Sequence, residues 1–113
     1  MAIAQRHPPK VDRGDAPLWL AEQLARPQAE GVCRVVYHSM FLQYLTDRSR
    51  DAIVRSIRKA GTSATVQRPL AWITFERTKA RYEVQLRLTC WPGSGTRLLA
   101  RCHAYGDWID WRT

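Results

Sequence analysis

Several kinds of residue pattern are missing from this sequence, and each absence excludes something. None of its apolar runs approaches the roughly 20 residues needed to cross a bilayer. No secretory leader is expected, because the short apolar start from Met1 to Ala4 gives way at once to Arg6, His7, Pro8, Pro9 and Lys10. The expected location is therefore the cytoplasm. Cysteine is scarce: Cys33, Cys90 and Cys102 are odd in number and share no Cys-x-x-Cys spacing, which argues against a disulfide framework. No cluster of Cys and His has metal-ligand spacing, so no metal site is expected. Cys33 and Cys90 fall in apolar strand patterns and read as small core hydrophobes. The glycine-rich signatures of dinucleotide and phosphate binding are absent, as is the Gly-x-Ser-x-Gly elbow of a serine hydrolase. No cofactor is expected. Gly93 and Gly95 sit in a turn whose backbone explains them.

Acidic residues and lysine are also in short supply. Ten Asp and Glu stand against 18 Lys and Arg, giving a net charge of +8, and 15 of those cations are arginine. Arginine suits phosphate and carboxylate partners because its guanidinium binds them bidentately. A high net charge speaks to solubility and non-specific association, not to fold. A basic nucleic-acid-binding module is therefore one alternative, with nucleic acid not the expected partner.

What remains is the pattern of a single α/β domain. Residues 1–15 carry Pro8, Pro9, Gly14 and mixed charge, and read as a flexible lead-in to a domain over 16–113. Asp15 caps a first helix, Pro17 lies in its first turn, and Leu18, Leu20, Ala21, Leu24 and Ala25 form its stripe up to Pro27. Residues 32–37 are β-branched and almost wholly apolar, the mark of a strand covered on both faces. That strand stops at His38 and Ser39, and Ser39 is placed to cap a helical segment over 40–45. A second helix, capped by Thr46 or Asp47, runs to about Ala60 with Ile53, Val54 and Ile57 inward, and Gly61 stops it. A second strand over 70–75 ends at Glu76. Strand, helix and strand in this order imply parallel pairing.

The period then changes to two. Tyr82, Val84, Leu86, Leu88 and Cys90 alternate with Arg81, Glu83, Gln85, Arg87 and Thr89, a strand with one wet face. The turn at 92–95 returns the chain as a hairpin over 97–103, and a short strand at 108–111 closes the sequence. The order is helix-β-helix-β followed by a C-terminal antiparallel hairpin. It has the shape of half of a doubly wound, methyltransferase-like sheet. Trp72 and Trp108 are expected in the core or half-buried, with Trp91 and Trp111 covering the sheet near the hairpin.

Chemistry in such a sheet gathers beyond the carboxyl ends of its parallel strands. Two ends can be located, one delivering His38 and Ser39 and the other Glu76. These three are the catalytic candidates, with His38 as general base or donor and Glu76 orienting it or holding a cation. Gln43 and Tyr44 would add polar contacts. The competing reading has Ser39 capping its helix, His38 satisfying a carbonyl, and Glu76 paired at the surface with Arg77.

Several stretches together resemble a bacterial family, domain of unknown function 2332. They are His38-Ser39 with Gln43-Tyr44-Leu45, then Leu70-Ala71-Trp72 closing on Glu76. Trp91-Pro92-Gly93 follows, then Leu98-Leu99-Ala100-Arg101 and the end from Trp108 to Trp111. The sequence departs from the pattern at one turn: Tyr105-Gly106 stands where the family has His-Gly, and His103 lies two residues earlier. That makes His103 a further binding candidate. The resemblance implies an uncharacterised protein matching the C-terminal part of longer members. Its upstream half, where a methyltransferase-like fold would hold S-adenosylmethionine, has no counterpart here. The expectation is a non-catalytic fragment or one half of a larger α/β protein, with a methyltransferase-like enzyme component as the alternative. The strand at 31–38 would then be an open apolar edge, taking a homodimer partner or the missing half.

Overall fold

The computed structural model describes residues 14–78, 83–93 and 95–112. Most of the lead-in expected over 1–15, and the expected strand start at Arg81 and Tyr82, lie outside these residues.

The first helix, α1 (Ala16–Ala25), begins as its sequence dictates, with the Asp15 carboxylate accepting from the Leu18 amide at 3.3 Å. A strand, β1 (Arg34–Ser39), follows, then a single 3-10 turn at Leu42–Tyr44. The long helix α2 (Asp47–Thr62) starts at Thr46, whose hydroxyl accepts from the Ser49 amide at 3.1 Å. Four more strands complete the order: β2 (Leu70–Arg77), β3 (Glu83–Trp91), β4 (Thr96–His103) and β5 (Ile109–Trp111). They form one sheet in the order β1-β2-β3-β4-β5. As expected, β1 and β2 are parallel, in register from Arg34 opposite Leu70 to Ser39 opposite Phe75. The remaining pairs are antiparallel, so the architecture is a mixed and mostly antiparallel α/β sheet.

Two apolar clusters form on opposite sides of that sheet. On one side Leu20 of α1 and Ile53 and Ile57 of α2 pack on Leu70 and Trp72, with Trp91 and Val36 at the margin. The other cluster, Val84, Ala100 and Cys102 with Phe75, Leu86 and Met40, includes no helix residue. The alternation read in β3 explains this division. Val84, Leu86, Leu88 and Cys90 share the face away from the helices, whereas Glu83, Gln85, Arg87 and Thr89 share the face of Trp72. The helices reach across β1, β2 and the end of β3, and beyond them the same face turns polar.

Several expectations need correction. The first strand starts two residues later than the apolar run, at Arg34, and one face of it is open: Val35 and Tyr37 are 55% and 60% exposed. Arg34 belongs to the strand through its amide, which donates to the Pro69 carbonyl at 3.0 Å, while its guanidinium donates to the Leu24 and Arg26 carbonyls at the end of α1. Cys33 lies outside the strand and is exposed, so it is not a core thiol, while Cys90 is half-buried and Cys102 buried. Trp108 and Trp111 are both exposed; Trp72 is the buried one and Trp91 stacks on it.

Gly61 does not stop α2 but lies inside its last turn, buried. A Cβ at this position would lie only 2.4 to 2.8 Å from indole carbons of Trp91, well inside van der Waals contact. Glycine here permits close approach of helix to sheet. Gly61→Ala, which in an open helix gains up to about 1 kcal/mol, is expected instead to destabilise by about 1–3 kcal/mol through overpacking. A rise in the urea midpoint would contradict that.

Candidate functional site

The parallel pair β1 and β2 brings His38 and Glu76 together from positions far apart in sequence. His38 stands opposite Thr74 in the register, so Trp72 and Glu76, two residues before and after Thr74, flank it on the same face. Both flanking contacts are made. His38 Nδ1 lies 2.6 Å from Glu76 Oε2, and the Trp72 indole Nε1–H donates to His38 Nε2 at 3.0 Å. An indole nitrogen can only donate, so Nε2 must be an acceptor and the ring proton sits on Nδ1, facing the carboxylate. The chain of donors runs Trp72 to His38 to Glu76. The side chains of His38 and Glu76 are 10% and 15% exposed.

The backbone after β1 completes the site. Met40 has a φ of 50°, left-handed for a residue with a side chain, and its amide still donates to the Phe75 carbonyl at 2.8 Å. Such a conformation costs on the order of 1–3 kcal/mol and persists where its surroundings enforce it. Here the next two amides converge on Glu76: Phe41 donates to its two oxygens at 3.0 and 3.2 Å, and Leu42 to Oε1 at 3.3 Å. A carboxylate from β2 therefore caps the 3-10 turn. The turn is also held by Arg50, whose Nη2 donates to the Leu42 carbonyl at 3.2 Å.

Ser39 has neither of its expected structural neighbours. It ends β1, it caps no α-helix, and strand alternation turns its side chain to the face opposite His38. The helix expected over 40–45 is reduced to the 3-10 turn, because Met40 leaves the right-handed region. Glu76 bonds His38. Gln43 Nε2 donates to the Met40 carbonyl at 3.4 Å and Tyr44 is exposed, so neither touches the His38–Glu76 pair. His103 ends β4, with β2 and β3 between it and β1. Its Nδ1 accepts from the Tyr105 amide at 3.2 Å and lies 3.5 Å from Asp107, beside the rings of Tyr105 and Trp108.

Trp72 is the member of the site that sequence reasoning placed in the core without a polar role. The spacing Trp72-x-x-x-Glu76 in one strand, which puts both on one face, was the available signal. Arg58 of α2 adds a cation over the Trp72 ring at 5.6 Å. The polar end of this face carries its own network. Glu83 accepts from Arg101 and Gln85, and Gln85 accepts from Arg87. The hydrogen bonds from Arg101 and then Gln85 hold the Glu83 carboxyl below its ordinary range. Among the described residues, no group of three or more His, Cys, Asp or Glu could hold a metal ion.

A groove of about 770 Å³ adjoins the site along the outer edge of β1. Trp19, Leu20 and Leu24 of α1 form one wall, and Val36, Tyr37 and Phe41 line the strand side, with His38 and Ser39 at its end. Among the described residues β1 has one neighbour, β2, so this edge is open.

A family model described as an uncharacterized protein conserved in bacteria, DUF2332, matches residues 1–111, nearly the whole chain. The chain belongs to this family. No curated protein and no solved structure matches it. The DUF2332 chain is thus an uncharacterised bacterial protein, and its site stands on geometry alone. Among the described residues, no helix is long and apolar enough to cross a membrane.

Proposed function

We propose that the DUF2332 chain is a non-catalytic assembly module, half of a larger α/β sheet that is continued by a strand added along β1. The observation that carries this reading is the open β1 edge. Arg34 and Met40 donate to Pro69 and Phe75 on the β2 side. Alternation therefore turns the amides and carbonyls of Val35, Tyr37 and Ser39 outward, toward the groove. Unpaired strand backbone beside an apolar groove is a template for a further strand.

Two features support the reading. The strand-helix-strand unit from β1 through α2 to β2 is the repeating element of such sheets, and α1 enters β1 from the same face. The His38 ring has both nitrogens engaged, one by Trp72 and one by Glu76, which favours a fixing role over proton transfer to a bound molecule.

Amide exchange tests it. The amides of Val35, Tyr37 and Ser39 are expected to exchange slowly either in concentrated protein or after adding a synthetic peptide with the sequence of residues 32–39. Protection should reach at least about tenfold, equivalent to about 1.4 kcal/mol. Fast exchange of all three under both conditions would overturn the reading.

A further inference from the structure

We infer that the strand added along β1 is the β1 of a second copy of this chain, paired antiparallel about a two-fold axis at Tyr37. This rests on the assembly reading above and names its partner. A two-fold interface requires a patch complementary to itself. The backbone groups of Val35, Tyr37 and Ser39 are evenly placed about Tyr37. An antiparallel copy sets Tyr37 opposite Tyr37 and Val35 opposite Ser39, and each such pair exchanges both of its hydrogen bonds.

The side chains match in the same way. Trp19, Val35, Tyr37 and Phe41 line this groove and are between 37% and 60% exposed. Together they offer on the order of 400 Å² of side-chain surface per copy. The strand backbone adds to that, which places the pairing at the small end of specific interfaces. The charged groups lining the groove are Arg26 and Arg34, and the Arg34 guanidinium is held by carbonyls of Leu24 and Arg26. Among the described residues nothing in the lining is acidic, so no charge there selects a basic partner. A two-fold at Tyr37 sets Arg34 of one copy opposite Met40 of the other, so the paired strands place no like charges opposite each other.

The net charge of +8 supplies a discriminating readout. Two such chains repel at long range, and salt screens that repulsion over about 10 Å at 0.1 M. An apolar self-pairing must therefore tighten as salt rises. Binding to nucleic acid or to an acidic protein must loosen.

Sedimentation equilibrium of the full chain at low and high salt tests the inference. The expected species has twice the chain mass of 13.1 kDa and dissociates less readily at high salt. Val35→Lys puts a charge on the edge, and Tyr37→Pro removes the central donor. Each is expected to weaken self-association at least tenfold with the circular dichroism of the monomer retained, and the lysine variant serves if the proline one fails to fold. Ile109→Lys, on the opposite edge of the sheet, should leave association unchanged. A monomer at every concentration overturns the second copy, and exchange protection by the 32–39 peptide then decides the assembly reading separately. A dimer insensitive to Val35→Lys, or one loosened by salt, overturns the β1 pairing.

Discussion

Trp72→Ala is expected to lower the free energy of unfolding by about 3–5 kcal/mol, the usual cost of truncating a large buried aromatic. Trp72 is 8% exposed and lies at the centre of the helix-side cluster, against Leu20, Ile53, Ile57 and Leu70. It stacks on Trp91 with ring centroids 6.4 Å apart and planes inclined by 13°. Its indole N–H is the donor that fixes His38. Alanine would remove the packing, leave a cavity and release the imidazole at once. A total stability of about 5–15 kcal/mol, typical for a domain, leaves little margin for such a loss. Urea unfolding followed by far-ultraviolet circular dichroism measures it. Trp72→Phe separates the two roles, since it keeps most of the ring and removes the donor. It is expected to cost about 1–3 kcal/mol and to free His38 Nε2 from its donor, visible in the imidazole nitrogen shifts. Unchanged shifts in this variant would show that the indole does not set the tautomer.

Glu76→Ala is the second large effect, expected near 3 kcal/mol. The carboxylate accepts from three donors, the His38 ring and the amides of Phe41 and Leu42. Removing it strands all three. Each buried donor left unmade costs about 1–3 kcal/mol, reduced here because water can reach a site whose carboxylate is 15% exposed. The Phe41 and Leu42 amides should exchange faster in the variant, and Met40 loses what holds it in the left-handed region. Glu76→Gln is expected to fall between wild type and alanine, because its carbonyl oxygen satisfies some of these donors but carries no charge. A loss below about 1 kcal/mol with unchanged exchange at both amides would mean that the turn is held without Glu76.

The local rules carried the reading a long way. Asp15 and Thr46 cap helices because their side-chain oxygens reach amides three residues on, a contact internal to a short segment. The inward stripe of α2 and the alternation of β3 are likewise fixed by period, and β1 and β2 are parallel because a helix joins them. The misreadings involve contacts between distant segments. Gly61 is a good helix stop by its own chemistry, yet Trp91 in β3 gives it a different use. Ser39 is a good helix cap in isolation, but a carboxylate from β2 takes that task. The apolar run at 32–37 implied cover on both faces, and its length cannot reveal that one face of the strand stays open. Of the site, the proximity of His38 and Glu76 was legible from strand ends. The indole partner was hidden because tryptophan in a strand reads first as packing.

The brevity of β5 has a consequence of its own. A sheet that could recruit strands at two ends would grow without limit, as fibrils do. Here the far end is a three-residue strand followed by Arg112, which is paired with Asp110 at 3.1 Å. Short, charged strands make poor templates. Pairing through β1 would bury the adhesive end of each copy and leave two blunt ones, so the particle stops at two and polymerisation has nowhere to start.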